Sequence, residues 1–205
     1  MKVKMLTYTK NAVDVIARAT NGCQKDHVPD EWVNSMSEED FIRELRQKKH
    51  DGAFEHCYFT FNVSGCSRNL SHQLVRHRIA SYLQQSNRKV IPKQEAYVVP
   101  PSMKDHLAEY EQAMENQWAI YEGLISNGVP IEDARFLLPS GYMTHITVTM
   151  NVRSLCHLFE LRLDEHAQWE IRKMANLVLK EVKKIYPVFF EDYRYEVPKE
   201  VSSYL

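Results

Sequence analysis

The sequence is poor in the features that announce the common ways of holding a ligand. Its 205 residues include only 6 glycines, and no Gly-x-Gly-x-x-Gly occurs, which excludes the phosphate loop of a dinucleotide fold. The 4 cysteines, Cys23, Cys57, Cys66 and Cys156, form no Cys-x-x-Cys pair and no metal spacing. They read as reduced thiols on apolar, mostly buried faces of a cytoplasmic protein, and no metal site is expected. No apolar run reaches the roughly 18 residues of a membrane span. The start, Met1 to Leu6, is too short and too polar afterwards for a secretory signal. A surplus of charge is also missing: 26 Lys and Arg balance 27 Asp and Glu, a net of −1, which argues against a general nucleic-acid binder.

What the chain does have is a concentration of cations. Arg76, His77 and Arg78 are adjacent, and Ser86 and Arg88 follow after seven intervening residues. Arginine offers a planar fork of donors suited to phosphate oxygens and heterocycle carbonyls. Between and beyond them run Ser81, Gln84, Gln85, Ser86 and Asn87, neutral hydrogen-bonding residues with no acidic partner. A solvated basic turn is one account of this stretch, and a ligand-facing wall is the other.

Patterning predicts an α+β fold over a single domain, residues 1–205, with a small, mostly antiparallel sheet flanked by long helices. Strands are expected at Val3–Thr9, Phe54–Val63 and Met143–Met150. Aromatic residues on both sides of the second strand suggest that it is covered on both faces, and Ser64-Gly65 should break it. Helices are expected over Asn11–Thr20, from a Ser37 cap to Lys49, from Ser67 onward, over Lys104–Ser126 behind a Ser102 cap, Ile131–Leu138, Asn151–Arg162 and Glu165–Ile185. A loop at His27–Asn34, anchored by Trp32, and another leading from Arg78 to Arg88 complete the frame. Arg135 falls among apolar neighbours and needs an acid or a ligand anion.

Arg-His-Arg, seven residues, then Ser resembles the signature of the flavin-dependent thymidylate synthases. Further blocks resemble that family in its own order: His50 to His56, Ser71 to Val75, Ala134 to Pro139, Asn151 to Leu155 and Ala167 to Arg172. Members reductively methylate dUMP to dTMP with FAD as hydride carrier, methylenetetrahydrofolate as carbon donor and NADPH as reductant, as homotetramers with FAD at subunit junctions. The resemblance assigns Arg76, His77, Arg78, Gln84, Asn151, Arg153 and His157 to FAD. It assigns Gln73, Gln85, Ser86, Asn87, Arg88, Arg135 and Arg162 to dUMP. Arg162, facing the pyrimidine carbonyl, and His50 are the expected catalytic residues. Ser86 has no histidine at a fixed offset to activate it, so it is expected to bind rather than attack. The chain departs from common family usage at Leu83, Gln84, Lys89, Gly52 and His157. An RNA- or nucleotide-binding module built on the arginine cluster, and a family member without activity, are the competing expectations.

Overall fold

The computed structural model describes residues 1–23 and 36–196; the expected Trp32 loop lies outside them. Four strands form one sheet: β1 (Lys2–Tyr8), β2 (Tyr58–Ser67), β3 (Ser81–Gln84) and β4 (Met143–Asn151). Their order is β1-β2-β4-β3 and every neighbouring pair is antiparallel, with Phe61 opposite Val148 and Leu83 opposite Thr147. The helices are α1 (Ala12–Gly22), α2 (Glu38–Gln47), α3 (Arg68–Leu74), α4 (Leu107–Ser126), α5 (Ile131–Ala134), α6 (Val152–Arg162) and α7 (Trp169–Lys183). The α+β architecture is therefore as expected.

One face of the sheet is the core. Cys57, Phe59, Phe61 and Val63 of β2 and its approach alternate inward, as do Ile146, Val148 and Met150 of β4. They pack under Leu155, Leu158 and Phe159 of α6 and Ile171, Met174 and Val178 of α7. Each such large apolar side chain contributes about 1.5–3 kcal/mol by leaving water. The opposite face is not covered by the described residues, contrary to expectation. Tyr58 and Leu83 are exposed there. The rest of that face is a polar ladder: Thr60 Oγ1 bonds Thr149 Oγ1 at 2.9 Å, and Asn62 Nδ2 donates to Thr147 Oγ1 at 3.1 Å. A second, smaller apolar cluster joins Met114, Trp118 and Tyr121 of α4 to Ala134 and Tyr142.

Several boundaries differ from expectation for local reasons. Phe54 belongs to a 3-10 turn, Asp51–His56, and not to the strand. Ser64-Gly65 is a bulge rather than a break, because Gly65 takes φ +66° and β2 then continues to Ser67. Ser102 caps nothing; a 3-10 turn, Pro101–His106, precedes α4. The Ile131–Leu138 helix divides into α5 and a 3-10 turn, Arg135–Leu137, and α7 starts at Trp169. The cap expected at Ser37 is present, and Ser67 and Asn151, expected only as helix starts, cap α3 and α6; each accepts from a backbone N–H three residues on. No helix among the described residues is long and apolar enough to cross a membrane.

Candidate active site

The site is built on α3 and β3, which lie side by side and run in opposite directions. Three sets of bonds fix them. Tyr82 places its hydroxyl between the carbonyls of Leu74 and His77, at 2.9 and 2.7 Å. Gln84 Nε2 donates to Ser71 Oγ at 2.8 Å. Arg68 Nη2 donates to the carbonyl of Gln85 at 2.8 Å and also to Asn87 Oδ1. The chain therefore leaves α3 at Leu74, turns through Arg76-His77-Arg78, and returns along β3 to Ser86. The two ends of this pair stand apart by about the length of α3, roughly 10 Å at 1.5 Å per residue.

At one end lies the Arg-His-Arg turn with α6. His77 is 7% exposed, and its ring Nε2 accepts from Arg162 Nε at 3.1 Å. A guanidinium only donates, so that ring nitrogen carries a lone pair. Burial, then the positive Arg162, then His157 push the His77 pKa down to about 4. His77 is thus neutral, a correction to the reading of three cations in a row: burial beside a guanidinium disfavours a second positive charge. The ring of His157 meets that of His77 edge-on at 5.9 Å. Arg76 and Arg78 are exposed and carry no ion pair among the described residues.

At the other end is the loop from Gln85 to Lys89. Gln85 N–H is tied to the His145 carbonyl at 3.0 Å. The carbonyl of Gln85 faces Arg68, and that of Ser86 accepts from Lys89 and Val90 at 3.2 and 3.1 Å. The N–H groups of Ser86 and Asn87 make no hydrogen bond among the described residues, and Ser86 Oγ accepts from Arg88 N at 3.2 Å. The loop thus spends its carbonyls on internal bonds and leaves two successive N–H groups free among the described residues, donors of the kind a turn offers an anion. Arg88 is paired with Glu132 at 2.8 Å, both exposed. A cavity of about 460 Å³ opens here, lined by Ser86, Arg88, Lys89, Pro130, Ile131 and Glu132. Arg135 is half-buried, donates from Nε to the Glu132 carbonyl at 3.0 Å, and has no carboxylate partner among the described residues.

The remaining expected residues lie around these ends. His50 is exposed at the head of the 3-10 turn that packs on α6. Arg153, one turn before His157 on α6, pairs with Glu55 of that turn. Gln73 is half-buried on the last turn of α3. Gln84 and Asn151 point their side chains into structural bonds, Gln84 to Ser71 and Asn151, 3% exposed, to the Ser154 N–H as the α6 cap. Thiolate chemistry has no support: burial pushes Cys57 and Cys66 up to about 12 and Cys156 to about 11. Cys23, expected on an apolar face, is exposed at the end of α1. No group of three metal-ligating side chains occurs among the described residues.

Residues not singled out from the sequence also enter. Arg68 ties down the loop, Tyr82 ties down the turn, and Glu132 occupies Arg88. The buried Glu170, 2% exposed, accepts from the Ser67 N–H at 2.8 Å and so fixes the start of α3 to α7.

The profile of the family described as thymidylate synthase complementing protein matches residues 4–188. A flavin-dependent thymidylate synthase of Geobacter sulfurreducens is 42% identical over 200 residues, spanning 94% of this chain and 86% of that one. One from Sulfurisphaera tokodaii is 41% identical over 196 residues, spanning 93% and 76%. The chain belongs to this family. The fold agrees with a solved structure of the UMP/dUMP methylase PolB from Streptomyces cacaoi bound with 5-Br dUMP, at a TM-score of 0.81 over 94% of this chain and 95% of that one. At 22% identity that likeness speaks for the fold alone. Membership places the Arg-His-Arg turn, α6 and the Ser86 loop in a flavin-dependent, thymidylate-forming family, and β3 occupies the middle of the spacing between turn and loop.

Proposed function

We propose that the chain, as one domain over residues 1–205, converts dUMP to dTMP, with FAD bound, methylenetetrahydrofolate as carbon donor and NADPH as reductant. The observation that carries this is the Ser86 loop, whose N–H groups, free among the described residues, lie beside Arg88 and Arg135 at one end of α3 while Arg162 stands at the other. A nucleotide laid along β3 puts its phosphate at the loop and its base at Arg162. The loop donors, Ser86 and Arg88 take the phosphate, with Gln85 and Asn87 shaping the loop. The Arg88–Glu132 pair is exposed and worth only about 0–1 kcal/mol, so a phosphate dianion displaces it.

The residues present fit a flavin dinucleotide: Arg76 and Arg78, exposed and without an ion pair among the described residues, suit its diphosphate or an anionic ring, and Arg153 and His157 add donors on the open face of α6. FAD, when bound, supplies the hydride-carrying ring. Arg162 does the charge work of the protein. His77 takes its Nε–H, which leaves the terminal nitrogens to face a pyrimidine carbonyl and stabilise negative charge as it develops. Arg135 and Gln73 complete the nucleotide site, and His50, exposed at the head of the 3-10 turn, is the second catalytic residue. The open polar face of the sheet and the exposed Leu83 suit a homotetramer with FAD at subunit junctions, in the cytoplasm.

The test is direct. Purified protein should be yellow and, with dUMP, methylenetetrahydrofolate and NADPH, should form dTMP. A yellow protein that binds dUMP yet makes no dTMP would identify a member without activity. A colourless protein that prefers RNA would support the binding module instead.

A further inference from the structure

Arg68 lies beneath the Ser86 loop. It is half-buried at the start of α3, and its Nε is buried with no hydrogen-bond partner. Burial, and then the charge of Arg135, lower its pKa. No carboxylate pairs with it among the described residues, although buried charge is costly without a partner. Its bonds go instead to the two residues that flank Ser86: Nη2 holds the Gln85 carbonyl at 2.8 Å and also Asn87 Oδ1. The Gln85 carbonyl held by Arg68 turns the Ser86 N–H the opposite way, because each peptide unit points its two ends in opposite directions. The cation lies behind that N–H group, where it strengthens its field.

We propose that Arg68 is a positioning residue for phosphate recognition: it fixes the Gln85–Asn87 loop in its anion-accepting conformation and, with Arg135, supplies the positive charge beneath it. This rests on the reading of the Ser86 loop as the phosphate site. The ligand class is a phosphate monoester, and Arg68 acts on it through the loop. A role in packing alone would leave the preference for a phosphorylated ligand untouched.

The experiment is equilibrium binding of dUMP and of 2′-deoxyuridine to the FAD-loaded protein, for the unmodified chain, Arg68→Met and Arg68→Lys. FAD content and Tm are measured alongside. The unmodified chain is expected to favour dUMP strongly. Arg68→Met should weaken dUMP on the order of 10- to 100-fold, the scale of one hydrogen bond from a charged donor, and leave 2′-deoxyuridine within about 2-fold. Arg68→Lys should fall between, since an ammonium restores charge and can donate to both acceptors, but its shorter stem does not carry it to where Nη2 lies. It also provides the comparison should Arg68→Met fail to fold. An unchanged ratio of the two affinities in both variants overturns the proposal, as does an equal loss of both ligands. If the unmodified chain itself binds the two alike, the failure lies in the phosphate-site reading and not in Arg68.

Discussion

The two ends of α3 treat positive charge in opposite ways. At the Arg-His-Arg turn, the central residue is shut in at 7% exposure, loses its proton and becomes an acceptor for Arg162. At the Ser86 loop, Arg88 is 61% exposed at its side chain, keeps its charge and holds a displaceable carboxylate. Basic residues that look alike in sequence therefore divide into a buried neutral acceptor and an exposed, ion-paired cation. Burial makes the division, since the cost of a charge rises steeply away from water. On the proposed reading, one end stays fixed during chemistry and the other exchanges the Glu132 carboxylate for a phosphate.

The comparison breaks most sharply if the ends can be exchanged in function. Arg162→Ala should lower single-turnover dTMP formation by about 10²–10³-fold, with flavin reduced beforehand, and Arg162→Lys should recover little of it. Ser86→Ala should turn over slowly with weaker dUMP binding, because its hydroxyl is one donor among several; a dead Ser86→Ala beside an active Arg162→Ala would reverse the assignment. Next in size, Arg88→Ala should cost about 1.5–3 kcal/mol in dUMP binding and leave FAD binding unchanged. Titrations in which both ligands weaken equally would remove the distinction between the ends.

A smaller effect comes from pH. The folded His77 titrates at about 4 against an ordinary 6.5, so only the unfolded chain takes up this proton in between. Stability should therefore fall as pH drops from about 6.5 towards 4, with no contribution from this group above that window. His77→Gln keeps an acceptor for Arg162 and should flatten that part of the profile. A slope identical to the unmodified chain, in chemical denaturation at several pH values, would place the charge elsewhere. The smallest effect is expected for Glu132→Gln. Removing the competitor for Arg88 should tighten dUMP by less than about 1 kcal/mol. Weaker binding in calorimetry would instead make Glu132 a ligand to the nucleotide.

Much of this was legible because it depends on local pattern. The alternation of Cys57, Phe59, Phe61 and Val63 specified the buried face of β2, and Ser37, Ser67 and Asn151 specified helix starts. β3 was not legible: Ser81 to Gln84 carries no apolar alternation, and its pairing is supplied by β4 at long range. Arg68 gave only a faint signal, a cation in the first turn of a helix, where the dipole disfavours it. Its partners, Gln85 and Asn87, lie 17 and 19 residues away, and no periodicity connects them.

The sequence by itself determined the chemical vocabulary of the protein: an arginine-rich signature, thiols without an activating setting, no glycine-rich phosphate loop, and a core face that alternates. Those properties follow from residue type and near-neighbour spacing. The tertiary structure alone decided which arginine is paired with a carboxylate, which bonds only neutral acceptors, and which histidine carries no charge. Those depend on burial and on partners distant in the chain, such as Arg162 for His77 and Gln85 for Arg68. The seven residues between Arg78 and Ser86 belong to both accounts. Their number is written in the sequence. Its meaning comes from the fold, because four of them enter or form the strand that carries the chain from one end of α3 to the other, at about 3.3 Å per residue.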